Sequence, residues 1–117
     1  MKYQRLHIRV PASGDAILLE KGDVKIEASV INVSVGGLCL TAPSDLIEPI
    51  EYQVQVITPA HGAIHFSGVP VYQTFESVGV KITSIEKDQL KIIYQIVGSF
   101  QLTADFIKYI DERDIIH

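Results

Sequence analysis

Between residues 24 and 31, Val24, Ile26, Ala28 and Val30 alternate with Lys25, Glu27, Ser29 and Ile31. A period of two puts one set on each face of an extended chain, the pattern of a half-buried antiparallel strand. Residues 52–57 repeat it, with Tyr52, Val54 and Val56 on one face and Gln53 and Gln55 on the other. Turn signals bound both stretches: Lys21-Gly22-Asp23 precedes the first, and Thr58-Pro59-Ala60-His61-Gly62 follows the second. Residues 14–20, 37–41, 63–69 and 78–82 read as further strands, with breaks at Ala42-Pro43-Ser44-Asp45, Glu48-Pro49 and Glu76-Ser77. About six or seven short strands joined by turns imply a small barrel or a sandwich. Pro70, inside an apolar run, implies an edge position or a bulge, and Gly79 implies a bulge or close packing.

The period changes after Glu86. Leu90, Ile93 and Val97 recur at three- and four-residue spacing, the apolar stripe of a helix. A second helix is expected over residues 102–113, from Leu102, Phe106 and Ile110, with Asp105 near its start and Lys108 and Arg113 nearer its end. Gly98-Ser99 is expected to separate the two.

A chain of 117 residues supports one core rather than two, and 47% hydrophobic residues argue against disorder. Ten Lys and Arg against fourteen Asp and Glu leave a formal charge of -4. That balance disfavours non-specific contact with DNA, RNA or an anionic membrane, while leaving room for a small basic site. The single cysteine, Cys39, excludes an intrachain disulfide and is expected to be a buried, unreactive thiol. No apolar run reaches the length of a membrane span and no signal-peptide core opens the chain, so the cytoplasm is the expected location.

Two segments carry the candidate chemistry. In an extended N-terminal segment Arg5, His7 and Arg9 share one face, and in a helix Arg5 and Arg9 would also meet. Pro11 disfavours helix at Val10 and favours the extended form. Paired guanidinium groups suit phosphates, through bidentate charge-assisted hydrogen bonds, and can stack on purine rings. His7, if protonated, would add charge beside them. In the second segment Asn32 can offer a donor and an acceptor to a base edge, Ser34 can donate to a phosphate, and Gly36-Gly37 can expose backbone N–H groups. Each segment taken alone also fits a plainer role: a solvated charged face for the arginines, a bulged turn for residues 32–37. His61 and His65 are four apart, but the neighbouring proline and glycine disfavour the helix that would bring them together on a metal. No glycine-flanked nucleophile elbow or acid/base pair points to an enzyme.

Arg5-x-x-x-Arg9 followed by Asn32-x-Ser34-x-x-Gly37 resembles the two-part signature of the PilZ domain, a bacterial receptor module for cyclic di-GMP. The likeness extends through Leu38-Cys39-Leu40, the strand with Val54 and Val56, and Gly79-Val80-Lys81-Ile82, and covers roughly residues 4–97. It implies an all-β fold, a six-stranded antiparallel barrel over residues 14–86, with an N-terminal arm (1–13) and a C-terminal helical segment (87–117). It further implies that Arg5 and Arg9 take phosphate and guanine, that Asn32 takes a guanine and Ser34 a phosphate or neighbouring group, and that Gly37 sets the backbone. Cyclic di-GMP is then the ligand, with no cofactor or metal, and closure of the arm over it is the signal to an unidentified effector protein, in motility, exopolysaccharide or biofilm control. Gln4 stands where some relatives that take a dimeric ligand carry another arginine. The second helix would cover an open end of the barrel or form a homodimer or partner surface. The competing reading is an adaptor of the same fold that acts through protein contacts without nucleotide.

Overall fold

The computed structural model describes residues 9–41 and 47–101, with side chains through Ser99. Its elements are β1 (Val10–Pro11), β2 (Asp15–Glu20), β3 (Asp23–Ser34), β4 (Gly37–Thr41), β5 (Tyr52–Thr58), β6 (Gly62–Gln73), β7 (Ser77–Ser84) and α1 (Lys87–Gln101). Six strands close an antiparallel barrel in the order β3-β2-β5-β6-β7-β4, and pairing of β4 with β3 completes the ring. The alternative of a sandwich is thereby removed. The short β1 continues along β3 beyond the end of β2, with Val10 opposite Val33 and Pro11 opposite Asn32.

Closure depends on the two longest strands. β3 pairs with β2 through residues 23–29 and with β4 through residues 30–34; β6 pairs with β5 through residues 62–68 and with β7 through residues 67–73. Each long strand thus exchanges partners along its length, and register shifts mark the exchange: Val30/Asn32 in β3, Pro70/Tyr72 in β6, and opposite Ser67/Gly68 an extra residue, Thr83, in β7. Bulges bend and twist a strand, which is what a small closed barrel needs at its corners. Both expectations for Pro70 are met. It sits at a bulge, and it lies past Gly68, the last β6 residue paired with β5, so its missing N–H interrupts no ladder there.

In β3 the expected apolar face is buried only toward its far end: Val30 is buried and Ile26 and Ala28 half-buried, but Val24, beside the β2–β3 turn, is exposed. In β5 the alternation holds throughout. Tyr52, Val54 and Val56 are buried while Gln53 and Gln55 are exposed. Leu18, Leu40, Val54 and Val78 are fully enclosed, together with Ile93 of α1, so the helix closes the same core. Truncating one of these leucines to alanine would cost about 2–5 kcal/mol. The β2–β3 turn is a two-residue loop in which Lys21 (φ 54°) and Gly22 (φ 87°) both adopt left-handed backbone, the twist that matches the flanking strands.

α1 begins where the helical period does: the Leu90 N–H donates to the Glu86 carbonyl at 2.9 Å. It is also tied to the barrel by a polar contact. At His65 the flank of β6 has no β7 partner, and the free backbone N–H donates to Gln89 Oε1 of α1 at 2.9 Å. One expectation fails here. α1 runs through Gly98 and Ser99 to Gln101, because a glycine in a helix costs only about 1 kcal/mol and the buried Ile93, Ile96 and Val97 hold the turn around it. The second helix, residues 102–113, lies outside the described residues, as do Gln4, Arg5 and His7.

Candidate nucleotide-binding face

Arg9 and Asn32 are 23 residues apart in sequence and meet in space: Arg9 Nη1 donates to Asn32 Oδ1 at 3.3 Å. The adjacent residue explains why. Val10 is fully buried and pairs with Val33, so the chain is anchored on β3 one residue after Arg9, and the guanidinium is held beside the strand that carries Asn32. The contact joins the arginine segment to the Asn-Ser-Gly segment.

β3 stays extended through Ser34, so Asn32 and Ser34 do lie two apart on one strand face. Their roles differ. Ser34 is buried, and its hydroxyl donates to the Gly37 carbonyl at 3.3 Å and accepts from the Gly36 N–H at 3.2 Å. Both the hydroxyl expected to donate to a phosphate and the Gly36 N–H expected to be exposed are therefore engaged within the turn. The Gly36 carbonyl accepts from the Ile82 N–H at 3.0 Å, tying the turn to β7. Gly37 is required by space: a Cβ there would stand 2.2 Å from the Val80 carbonyl oxygen, a backbone atom that cannot swing aside. Ser34 and Gly37 thus fix the turn, and Asn32 with Arg9 is the part of the motif that meets the outside.

Residues directly opposite in an antiparallel pair share a face. Asn32 is opposite Cys39 and Cys39 opposite Gly79; one step along, Ser34 is opposite Gly37 and Gly37 opposite Lys81. The Tyr72 ring lies over Gly79, where an added Cβ would come within 2.1 Å of it, and the Tyr72 hydroxyl donates to Cys39 Sγ at 3.7 Å. That accounts for two expectations. Gly79 is closely packed and lies opposite the β6 bulge, and Cys39 is buried, but under Tyr72 rather than in the cluster that holds Leu38 and Leu40. Sequence reasoning missed Tyr72 and Lys81 as neighbours of the motif. Their only signal was one polar residue within each of two apolar runs, and strand pairing alone brings them here.

His61 and His65 do not meet on a helix: His61 is in the β5–β6 turn, its backbone N–H held by Thr58 Oγ1 at 3.0 Å, and His65 is on β6. No helix among the described residues is long and apolar enough to cross a membrane.

The sequence profile of the PilZ domain matches residues 3–99, which takes in both halves of this face. The chain belongs to the PilZ domain family. A PilZ domain of YcgR from Escherichia coli with c-di-GMP superposes with a TM-score of 0.67 at 14% identity, covering 97% of this chain and 100% of that one. The Bacillus subtilis inhibitor of motility, MotI/DgrA, gives a TM-score of 0.71 at 16% identity over 86% of this chain and 52% of its own. YcgR in complex with c-di-GMP from Escherichia coli gives 0.70 at 14% identity over 97% of this chain and 51% of its own. The present chain thus spans about half the length of these last two proteins. At such identities the likeness is one of fold. No curated protein sequence matches the chain.

Proposed function

We propose that this PilZ domain is a receptor for cyclic di-GMP that binds without turnover. The observation that carries the reading is the meeting of Arg9 with Asn32: a guanidinium and a carboxamide from separate segments converge at the edge of a rigid turn. Arg9, with Arg5 four residues before it, supplies bidentate donors for phosphate and for the O6 and N7 acceptors of guanine. Asn32 can both donate to and accept from a guanine edge. Ser34 and Gly37 hold the turn in shape. The c-di-GMP bound to two of the structural neighbours supports this choice of ligand.

In this reading the arm carries the output. Among the described residues Arg9 is held by one long hydrogen bond, which a ligand can replace with stronger charge-assisted ones, so binding redraws the position of the N-terminal arm against the barrel. An effector protein, or a second copy meeting the C-terminal segment, would read that change in the cytoplasm. The test is calorimetric titration with cyclic di-GMP, with GTP and cyclic GMP as controls and Asn32→Ala alongside. Selective binding, weakened at least about tenfold by the variant, is the expected result. Absence of binding by folded protein would overturn the reading and leave an adaptor acting through protein contacts.

A further inference from the structure

The face that carries the motif holds a cation outside it. Lys81 stands directly across from Gly37, which stands directly across from Ser34, so the three form a row on one side of the sheet. Two strand spacings of about 4.8 Å place the Lys81 backbone roughly 10 Å from that of Ser34. The residue between them is a glycine, with no side chain to block the path. Lys81 is exposed, and no hydrogen bond or ion pair engages it among the described residues. Further along β7 the Glu51 carboxylate accepts the hydroxyl of Thr83 at 2.6 Å.

Arg9 approaches the motif from β1, on one flank of β3, and Lys81 from β7, beyond β4 on the other flank. A cyclic dinucleotide carries two phosphodiesters, one on each side of its ring, so cations on both flanks match its charge in a way that one arginine cluster alone does not. We propose that Lys81 is a further ligand contact and that its ammonium takes the phosphate turned away from Arg9. The inference rests on the receptor reading above. An ammonium is a compact point charge with three donors and asks less of the phosphate's orientation than a guanidinium fork does.

The experiment is calorimetric titration of the wild type, Lys81→Gln, Lys81→Arg and Lys25→Gln with cyclic di-GMP, with thermal melts confirming that each variant folds. Lys25 is an exposed control, far along β3 toward the β2–β3 turn. The expected result is about tenfold weaker binding for Lys81→Gln, near wild-type binding for Lys81→Arg, and no change for Lys25→Gln. Binding by Lys81→Gln within twofold of a binding wild type would overturn the Lys81 contact and leave the receptor reading standing. A wild type that does not bind would overturn both.

Discussion

The two halves of the motif are built in opposite ways. The Ser34–Gly37 turn is fixed from several sides, by the Ser34 hydroxyl within it, by the Ile82 N–H from β7 and by the Val80 backbone against Gly37. On the arginine half, Arg9 is held to Asn32 by a single hydrogen bond of 3.3 Å among the described residues. Substitutions in the turn should therefore cost stability, and substitutions of the arginine should cost affinity alone. A site that must accept a ligand and report it needs both kinds: one part that keeps its shape and one that can move.

The sharpest way to break this contrast is Gly37→Ala. Backbone must shift to admit the Cβ, so a loss of at least about 2 kcal/mol is expected in denaturant unfolding. Wild-type stability would remove the claim that the turn is fixed by contact with β7. Ser34→Ala comes next. It leaves the Gly36 N–H and the Gly37 carbonyl without that partner in a buried turn, for a loss of about 1–2 kcal/mol in the same assay. Gly79→Ala should cost less, about 1 kcal/mol, because the group in the way is the partly exposed Tyr72 ring rather than backbone. Displacing that ring uncovers Cys39, so the variant should react faster with a maleimide than the wild type does.

The smallest effect concerns alkaline pH. Burial, and then the nearby Glu48 and Glu20 carboxylates, hold the Tyr52 phenol above its ordinary value of 10.0. The fold favours the protonated form, so its contribution is complete below pH 10.0 and is lost as pH rises through the higher folded value. Tyr52→Phe should flatten the fall in stability above that pH. An alkaline limb identical to wild type would assign the fall to other groups.

Much of the fold was legible because its signal is local. The alternation at Tyr52–Val56 reports which face is buried whatever lies opposite, and that at Val24–Val30 does so from Ile26 onward, Val24 at the hairpin end staying exposed. The three- and four-residue spacing of Leu90, Ile93 and Val97 reports the helix in the same way. Gly98 misled because its cost in a helix is small beside the packing of Ile93, Ile96 and Val97. The site was legible in its residue types and less so in their roles. Nothing in Asn32-x-Ser34 says that the first side chain meets the arm while the second is spent inside the turn; register and burial decide it. Tyr72 and Lys81 reach the same face through pairing with β7, a long-range fact that spacing along the chain does not carry.

The most direct test of the division between a fixed turn and a weakly held arginine is the melting temperature of the wild type and Arg9→Ala, each with and without excess cyclic di-GMP. The two should melt together without ligand, since one long hydrogen bond at a partly exposed site is worth no more than about 0.5 kcal/mol. Ligand at a hundredfold excess over Kd should stabilise the wild type by about 2.7 kcal/mol and leave Arg9→Ala where it was. An Arg9→Ala protein that melts well below the wild type without ligand, or that rises with ligand as the wild type does, would contradict that division.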